Sequence, residues 1–221
     1  MSGHSEGIPW HPVSRVEKYS PEQTAWARYR LAEEMSWGRR VIVRALGAAV
    51  PVLHGDWLRE LFTEPECGVA CDEGNRVTET GLANLALVLT GGGHPLVPGR
   101  TVFGVGADGE TSFSARHVHL ANAPGEGHGH SWYRPMDAGF PDADGLAVVG
   151  QATFNEREAN FGWREWCWAS GEPGPEPGPV LRDCFDGGHA MLNRRAPEPG
   201  FGLKEAGVAW VFRTEITFPD R

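Results

Sequence analysis

No stretch of this 221-residue chain approaches the roughly 18 consecutive apolar residues that cross a bilayer, so no membrane partner is expected. The opening residues, MSGHSEGIPW, lack a basic region followed by an apolar one, so export by a signal peptide is not expected either. Positive charge is also scarce. Lys and Arg total 20 against 29 Asp and Glu, a net charge of −9, which leaves no surplus to neutralise a run of phosphates and argues against direct nucleic-acid binding. Cys67, Cys71, Cys167 and Cys184 fall far below disulfide-scaffold density, and their redox state stays open.

Recognisable catalytic signatures are thin. There is no G-x-S-x-G elbow, and no Ser or Cys is marked by a neighbouring base. Gly104-Val105-Gly106-Ala107-Asp108-Gly109 has the spacing of a dinucleotide loop, but the residues after it are a poor helix opening. The chain also lacks the βαβ alternation that gives this motif its meaning, so a glycine-rich β-turn is expected. No cofactor is expected. Two His-x-His pairs, His117/His119 and His128/His130, suggest a metal site, since alternate residues of a strand share a face and neutral imidazoles are good ligands. The competing reading is a hydrated polar loop. A cupin-type motif fits poorly, because Gly109 and Glu126 lie too far from the first pair. Cys67 and Cys71 offer two thiolates without a matching second pair. Cys167 and Cys184 flank a Pro-rich stretch and are either bridged across its base or buried as free thiols.

What the chain does have is aromatic mass and turns. Nine Trp and 10 Phe supply core material, while 30 Gly and 17 Pro break the chain into short elements. Ser20-Pro21-Glu22 is a helix start, and a helix to about Met35 follows. A second helix is expected over Thr78–Thr90, with Leu82, Leu85, Ala86 and Leu89 forming one buried face and Gly91-Gly92-Gly93 supplying the stop. Strands are expected over Arg39–Ala49, Thr101–Val105, Leu146–Phe154, Asn160–Trp168, Ala190–Arg194 and Val208–Phe218. In the last, Val208, Trp210, Phe212, Thr214, Ile216 and Phe218 alternate with less apolar residues, the pattern of a strand that closes a two-layer core.

The fold expectation is mainly β: an antiparallel β-sandwich-like domain with one or two helices and an extended N-terminal arm. Residues 1–37 form the arm and first helix, and residues 38–221 form the domain. Residues 1–19 are expected to order against a neighbour. The Pro-rich loop 170–180 is expected to project as a semi-rigid surface element. In Phe161–Trp168, strand geometry sets Trp163 on one face and Trp166 with Trp168 on the other, which suits a sandwich interior plus a subunit interface. Trp10, Trp26, Trp37, Trp166 and Trp168 are therefore the candidate contacts to copies or neighbours. An aromatic platform of Trp132, Trp166 and Trp168 for a host-surface glycan is the rival reading. A buried Asn160 or Glu165 would need a partner, with Arg164, Arg194 or Arg195 available.

Six segments in order carry a resemblance: NRVTETGLANLALVLTGGG (75–93), FGVGADGETSFSARHVHL (103–120), YRPMDAGFP (133–141), ATFNEREANFGWREW (152–166), MLNRR (191–195) and VAWVFRTEITF (208–218). Their sequence is similar to that of a family of tailed-bacteriophage virion structural proteins, over a core of residues 75–218. The resemblance implies a non-enzymatic tail, head–tail or capsid-surface component, assembled in the host cytoplasm into the virion. Its implied partners are copies of itself and other virion proteins. It implies no catalytic residue, and His117 falls where the family carries an ordinary polar side chain. The Pro-rich loop, the His-rich stretch 128–130 and the N-terminal segment with Cys67 and Cys71 lie outside the shared pattern. A metal-dependent β enzyme using His117, His119, His128 and His130 and a glycan-binding receptor module are the alternatives.

Overall fold

The alternation over residues 208–218 becomes strand β11 (Trp210–Thr217), with Trp210, Phe212, Thr214 and Ile216 all buried on one face. A computed structural model describes residues 11–34, 52–74, 76–108, 112–120, 130–145 and 147–217. The expected strand Arg39–Ala49 lies outside them. β11 sits at the centre of a five-stranded antiparallel sheet together with β1 (His11–Lys18), β2 (Val69–Glu73), β5 (Asp142–Asp144) and β6 (Ala147–Phe154), in the order β2-β1-β11-β6-β5. Facing it is a four-stranded sheet of β3 (Thr101–Gly106), β4 (Ser131–Pro135), β8 (Glu165–Gly171) and β9 (His189–Met191), in the order β4-β3-β8-β9. β7 (Gly162–Trp163) and β10 (Gly202–Leu203) form a small ribbon beside them. The chain is thus mainly β, with a sandwich-like core between two sheets.

Phe212 is the hub of that core. Its ring stacks on Phe103 with centroids 4.7 Å apart, and Trp166 and Phe201 meet it edge-on at 5.5 and 5.2 Å. Aromatic pairs of this kind contribute about 0.5–1.5 kcal/mol each beyond area burial. Trp163 joins the same cluster, 6.2 Å from Phe212 and 4.9 Å from Trp210. This corrects the expected two-face arrangement. Arg164 interrupts the strand between β7 and β8, so the strict period of two is lost and all three indoles turn inward.

Over residues 11–18, β1 corrects the expectation of an arm that waits for a neighbour; residues 1–10 of that arm lie outside the described residues. All of its residues, from His11↔Thr217 to Lys18↔Trp210, pair with β11 of the same chain, and Ser14 and Val16 are buried between the sheets. The helix after it, α1 (Pro21–Glu34), begins with a reciprocal cap: Gln23 N–H donates to Ser20 Oγ, and Ser20 N–H donates to Gln23 Oε1. A short helix, α2 (Gly55–Leu61), was not foreseen. Leu58 of α2 packs with Tyr19, Ala27, Leu53 and Val211, forming a second small core on the outer face of the larger sheet.

Helix α3 (Glu79–Leu89) has its expected ends. Thr78 Oγ1 accepts the Gly81 N–H, and beyond Leu89 the N–H groups of Gly91 and Gly92 donate to Val88 O and Leu87 O. Its seating departs from the expected one: of the four positions expected to face inward, Leu85 alone is partly buried against the core. Leu82 and Leu89 are 57% and 89% exposed and Ala86 is exposed, while Gly81 and Asn84 are the buried positions. A Cβ on Gly81 would sit 2.3 Å from Leu192 O, so the glycine lets the helix lie on the backbone just after β9. Asn84 clamps His94 from both sides, with Nδ2 donating to His94 O and Oδ1 accepting its N–H.

The Pro-rich segment does not project. Its prolines fall at every second position, and the N–H groups left between them are all used: Gly174 donates to Gly99 O, Glu176 to Cys184 O and Gly178 to Tyr133 O. Tyr133 N–H donates back to Gly178 O, so the segment bridges to edge strand β4. A 3-10 turn, Leu181–Cys184, follows it.

Candidate functional site

The structure separates the residues that the sequence grouped. Trp166 and Trp168 are completely buried in the inter-sheet core, where a fully enclosed indole presents no face to a neighbour or a sugar. Trp132 is partly buried against the same core. Trp26 is the candidate that remains on the surface, half exposed on α1 and stacked on Tyr29 at 5.5 Å. Trp10 and Trp37 lie outside the described residues.

His128 also lies outside them, and the other three histidines are engaged separately. His117 Nδ1 accepts the Ser114 N–H, and its ring meets Phe113 edge-on. Burial first, then the positive fields of Arg194 and His119, lower its pKa below 6.5. His119 Nδ1 lies 2.7 Å from Leu120 O, and His130 stacks on Phe161. Among the described residues, no group of three or more His, Cys, Asp or Glu side chains is placed to hold a metal ion. Cys67 and Cys71 are exposed free thiols, and Cys167 and Cys184 are buried free thiols rather than a bridge. Burial drives the Cys167 thiol well above its ordinary pKa. Gly104 and Gly106 belong to β3, not to a turn. A Cβ on Gly104 would strike the Tyr133 ring and Cys167 Sγ, and one on Gly106 would strike Glu165.

Glu165 has the partner its burial demands. Arg194 Nε donates to Glu165 Oε2 at 2.6 Å, with both side chains essentially inaccessible. Adjacent residues of an extended strand face opposite ways, so Arg195 turns outward to form a forked pair with Asp72. Arg164 is exposed. Asn193 Oδ1 accepts the Trp168 N–H at 2.7 Å. The Leu-Asn-Arg block is therefore a joint that fastens β8 to the segment after β9.

Asp137 is a polar centre with no chemical signature of its own in the sequence, although it lies within the Tyr133–Pro141 segment. Its carboxylate accepts from Gly55 N–H, Gln151 Nε2, Thr153 N–H and Thr153 Oγ1, tying the start of α2 to β6. Lys204 is a second. Its buried Nζ donates to Asn155 O, Glu158 O and Asn160 Oδ1, holding the turn after β6 in which Ala159 takes a positive φ of 51°.

Two surface clefts carry charge. One, of about 530 Å³, is lined by Arg28, Val52, Arg134, Asn155, Glu156, Arg157 and Glu158. Arg28 donates to both Glu156 oxygens and Arg134 to Glu158, so opposed charges join α1 to the turn. The other, of about 580 Å³, lies on the outer face of the larger sheet between β1, β11 and α2. There Glu17 bridges Arg15 and Arg59, Arg59 also binds Asp56 and Gln151, and Arg213 sits over the Phe140 ring. The second cleft balances three Arg against three acids and the first sets three Arg against two Glu, and in both the paired charges fix helices on the sheet.

These joints define a class by architecture, a mainly-β protein built from two facing antiparallel sheets. No family model, no curated protein and no solved structure matches the chain. Among the described residues no helix is long and apolar enough to cross a membrane.

Proposed function

We propose that this protein is a non-enzymatic structural component of a tailed-bacteriophage particle, of the tail, head–tail or capsid-surface type. It assembles through contacts with copies of itself and with other virion proteins. The observation that carries the reading is the set of exposed leucines on α3. The core is complete without Leu82, Leu87 and Leu89, yet all three are more than half exposed on a helix with one charge, Glu79, at its start. Exposed apolar surface of this kind marks a contact. The stacked Trp26–Tyr29 pair on α1 supplies a second such surface. The motifs behind the phage resemblance support the reading as well, since Thr78, Asp137, Glu165, Asn193 and Arg194 all serve as structural joints.

Quantitative mass spectrometry of density-purified particles tests the proposal. Its peptides are expected at a fixed stoichiometry to the major capsid protein, unchanged by a high-salt wash. Particles that lack the peptides overturn it. Replacing both Leu82 and Leu89 with Ser is expected to leave the protein folded and to reduce its incorporation at least ten-fold.

A further inference from the structure

β2 ends the larger sheet: β1 pairs along one side and, among the described residues, no strand lies along the other. Bonds near its two ends fix which main-chain groups face outward. Lys18 donates to Gly68 O at 3.1 Å, and Gly74 donates to Pro12 O at 3.0 Å. The even-numbered residues of this segment therefore turn their N–H and C=O groups toward β1. Those of Val69, Cys71 and Glu73 turn away from it, and the same three side chains are the exposed ones. Arg195 Nη2 reaches the Glu73 carbonyl at 3.0 Å. The strand carries neither the Pro nor the Lys that blunts many free edges.

We infer that this edge is where a second copy of the chain docks, β2 against β2, antiparallel about a two-fold axis at Cys71. A two-fold contact uses the same patch on both copies, so the strand must complement itself. The register centred on Cys71 pairs all of Val69–Glu73 with the same residues of the second copy. It sets Val69 opposite the partner's Glu73 and Ala70 opposite the partner's Asp72, so no two acids face each other. Centring on Asp72 instead would oppose two carboxylates, which is destabilising. Centring on Val69 would run the pairing into Gly68, whose φ of 87° ends the strand. The Cys71 register aligns the outward-facing groups of each copy: the two Cys71 residues exchange two N–H···O=C bonds, and each Val69 N–H shares the opposite Glu73 carbonyl with Arg195 Nη2. It also brings the two Cys71 side chains to the same face with Cα atoms about 5.5 Å apart, within the span of a disulfide. The inference names a self-contact of the assembly proposed above and takes its setting from that reading.

The exposed thiols are a built-in probe. Diamide takes two electrons and two protons from two apposed thiols as the S–S bond forms, and Cys167 and Cys184 are buried. Full-length protein treated with diamide is expected to run as a dimer on a non-reducing gel. The dimer should persist in Cys67→Ser and fall at least ten-fold in Cys71→Ser. No dimer in the unsubstituted protein, or a dimer that survives Cys71→Ser, overturns the inference. Cys71→Lys sets two ammonium groups opposite each other, and sedimentation equilibrium is expected to show self-association at least ten-fold weaker with an unchanged circular dichroism spectrum. Unchanged association overturns it. Particles that hold the protein without Cys71 cross-linking would remove the edge contact and leave the assembly reading standing. Cross-linking through Cys71 in a protein absent from particles would do the reverse.

Discussion

Lys204 and Cys184 push stability in opposite directions as pH rises. Burial lowers the Lys204 pKa from 10.5 to about 8. Between those values the unfolded chain binds more protons than the folded one, so this group's contribution to stability rises with pH. Burial, then Asp183, raises the Cys184 pKa from 9.0 to about 12, so the folded chain keeps that proton longer and stability falls above pH 9. Subtraction isolates the lysine: the unfolding free energy of the unsubstituted protein minus that of Lys204→Met is expected to climb from about pH 8 to 10.5 in urea titrations and to be flat below pH 7. Arg194→Met leaves the Glu165 carboxylate buried without its guanidinium and is expected to cost about 3–5 kcal/mol. Adding Glu165→Gln should cost less than the sum of the single changes in a double-mutant cycle. That Glu165 required an arginine was legible, because a carboxylate in a Trp-rich strand must be paired. The choice of Arg194 over Arg195 was not, since it depends on which way the segment faces once it docks on β8. Asp137 gave no signal of its own, because its four donors come from residues scattered between 55 and 153.

α3 shows what periodicity does and does not encode. Its existence, its Thr78 cap and its glycine stop follow from local rules, and all were readable. Its facing follows from Gly81 and Asn84, one of which has no side chain and the other a polar one, so apolar spacing found only Leu85 among the inward positions. Gly81→Ala should improve intrinsic helix propensity by about 0.8–1 kcal/mol yet destabilise the protein, with a net loss of about 1–3 kcal/mol, because the added methyl meets the Leu192 backbone. Leu82→Ala, by contrast, is expected to stay within about 0.5 kcal/mol of the unsubstituted protein. Chemical denaturation of both variants checks the pair, and a costly Leu82→Ala with a neutral Gly81→Ala would refute the seating. In the Pro-rich segment, the exclusion from a central strand was legible. The use of its surviving N–H groups depended on partners at Gly99, Tyr133 and Cys184, which no local pattern links.

At the scale of the whole molecule, the two-layer β architecture was visible in the strong alternation of β11 and the aromatic run of β8. β1 was not, because its inward positions are Pro12, Ser14, Val16 and Lys18, and Ser14 meets Thr214 Oγ1 at 3.3 Å instead of supplying apolar mass. Removing residues 1–18 is therefore expected to abolish cooperative unfolding by taking out the strand between β2 and β11, whereas an arm held only by neighbours would leave the melting curve intact. Circular dichroism with thermal melting separates the two outcomes. The pairing of β1 with β11 also sets a timetable for synthesis. Ser14 and Thr214 are 200 residues apart, so the early strand must wait for that length of chain to be translated before its central partner leaves the ribosome. Until then the larger sheet has no middle, and β1 with β2 is a ribbon open on both sides. The nascent chain is thus most prone to aggregation during elongation, and slowing translation over the last strand should lower the soluble yield without changing the stability of the finished protein.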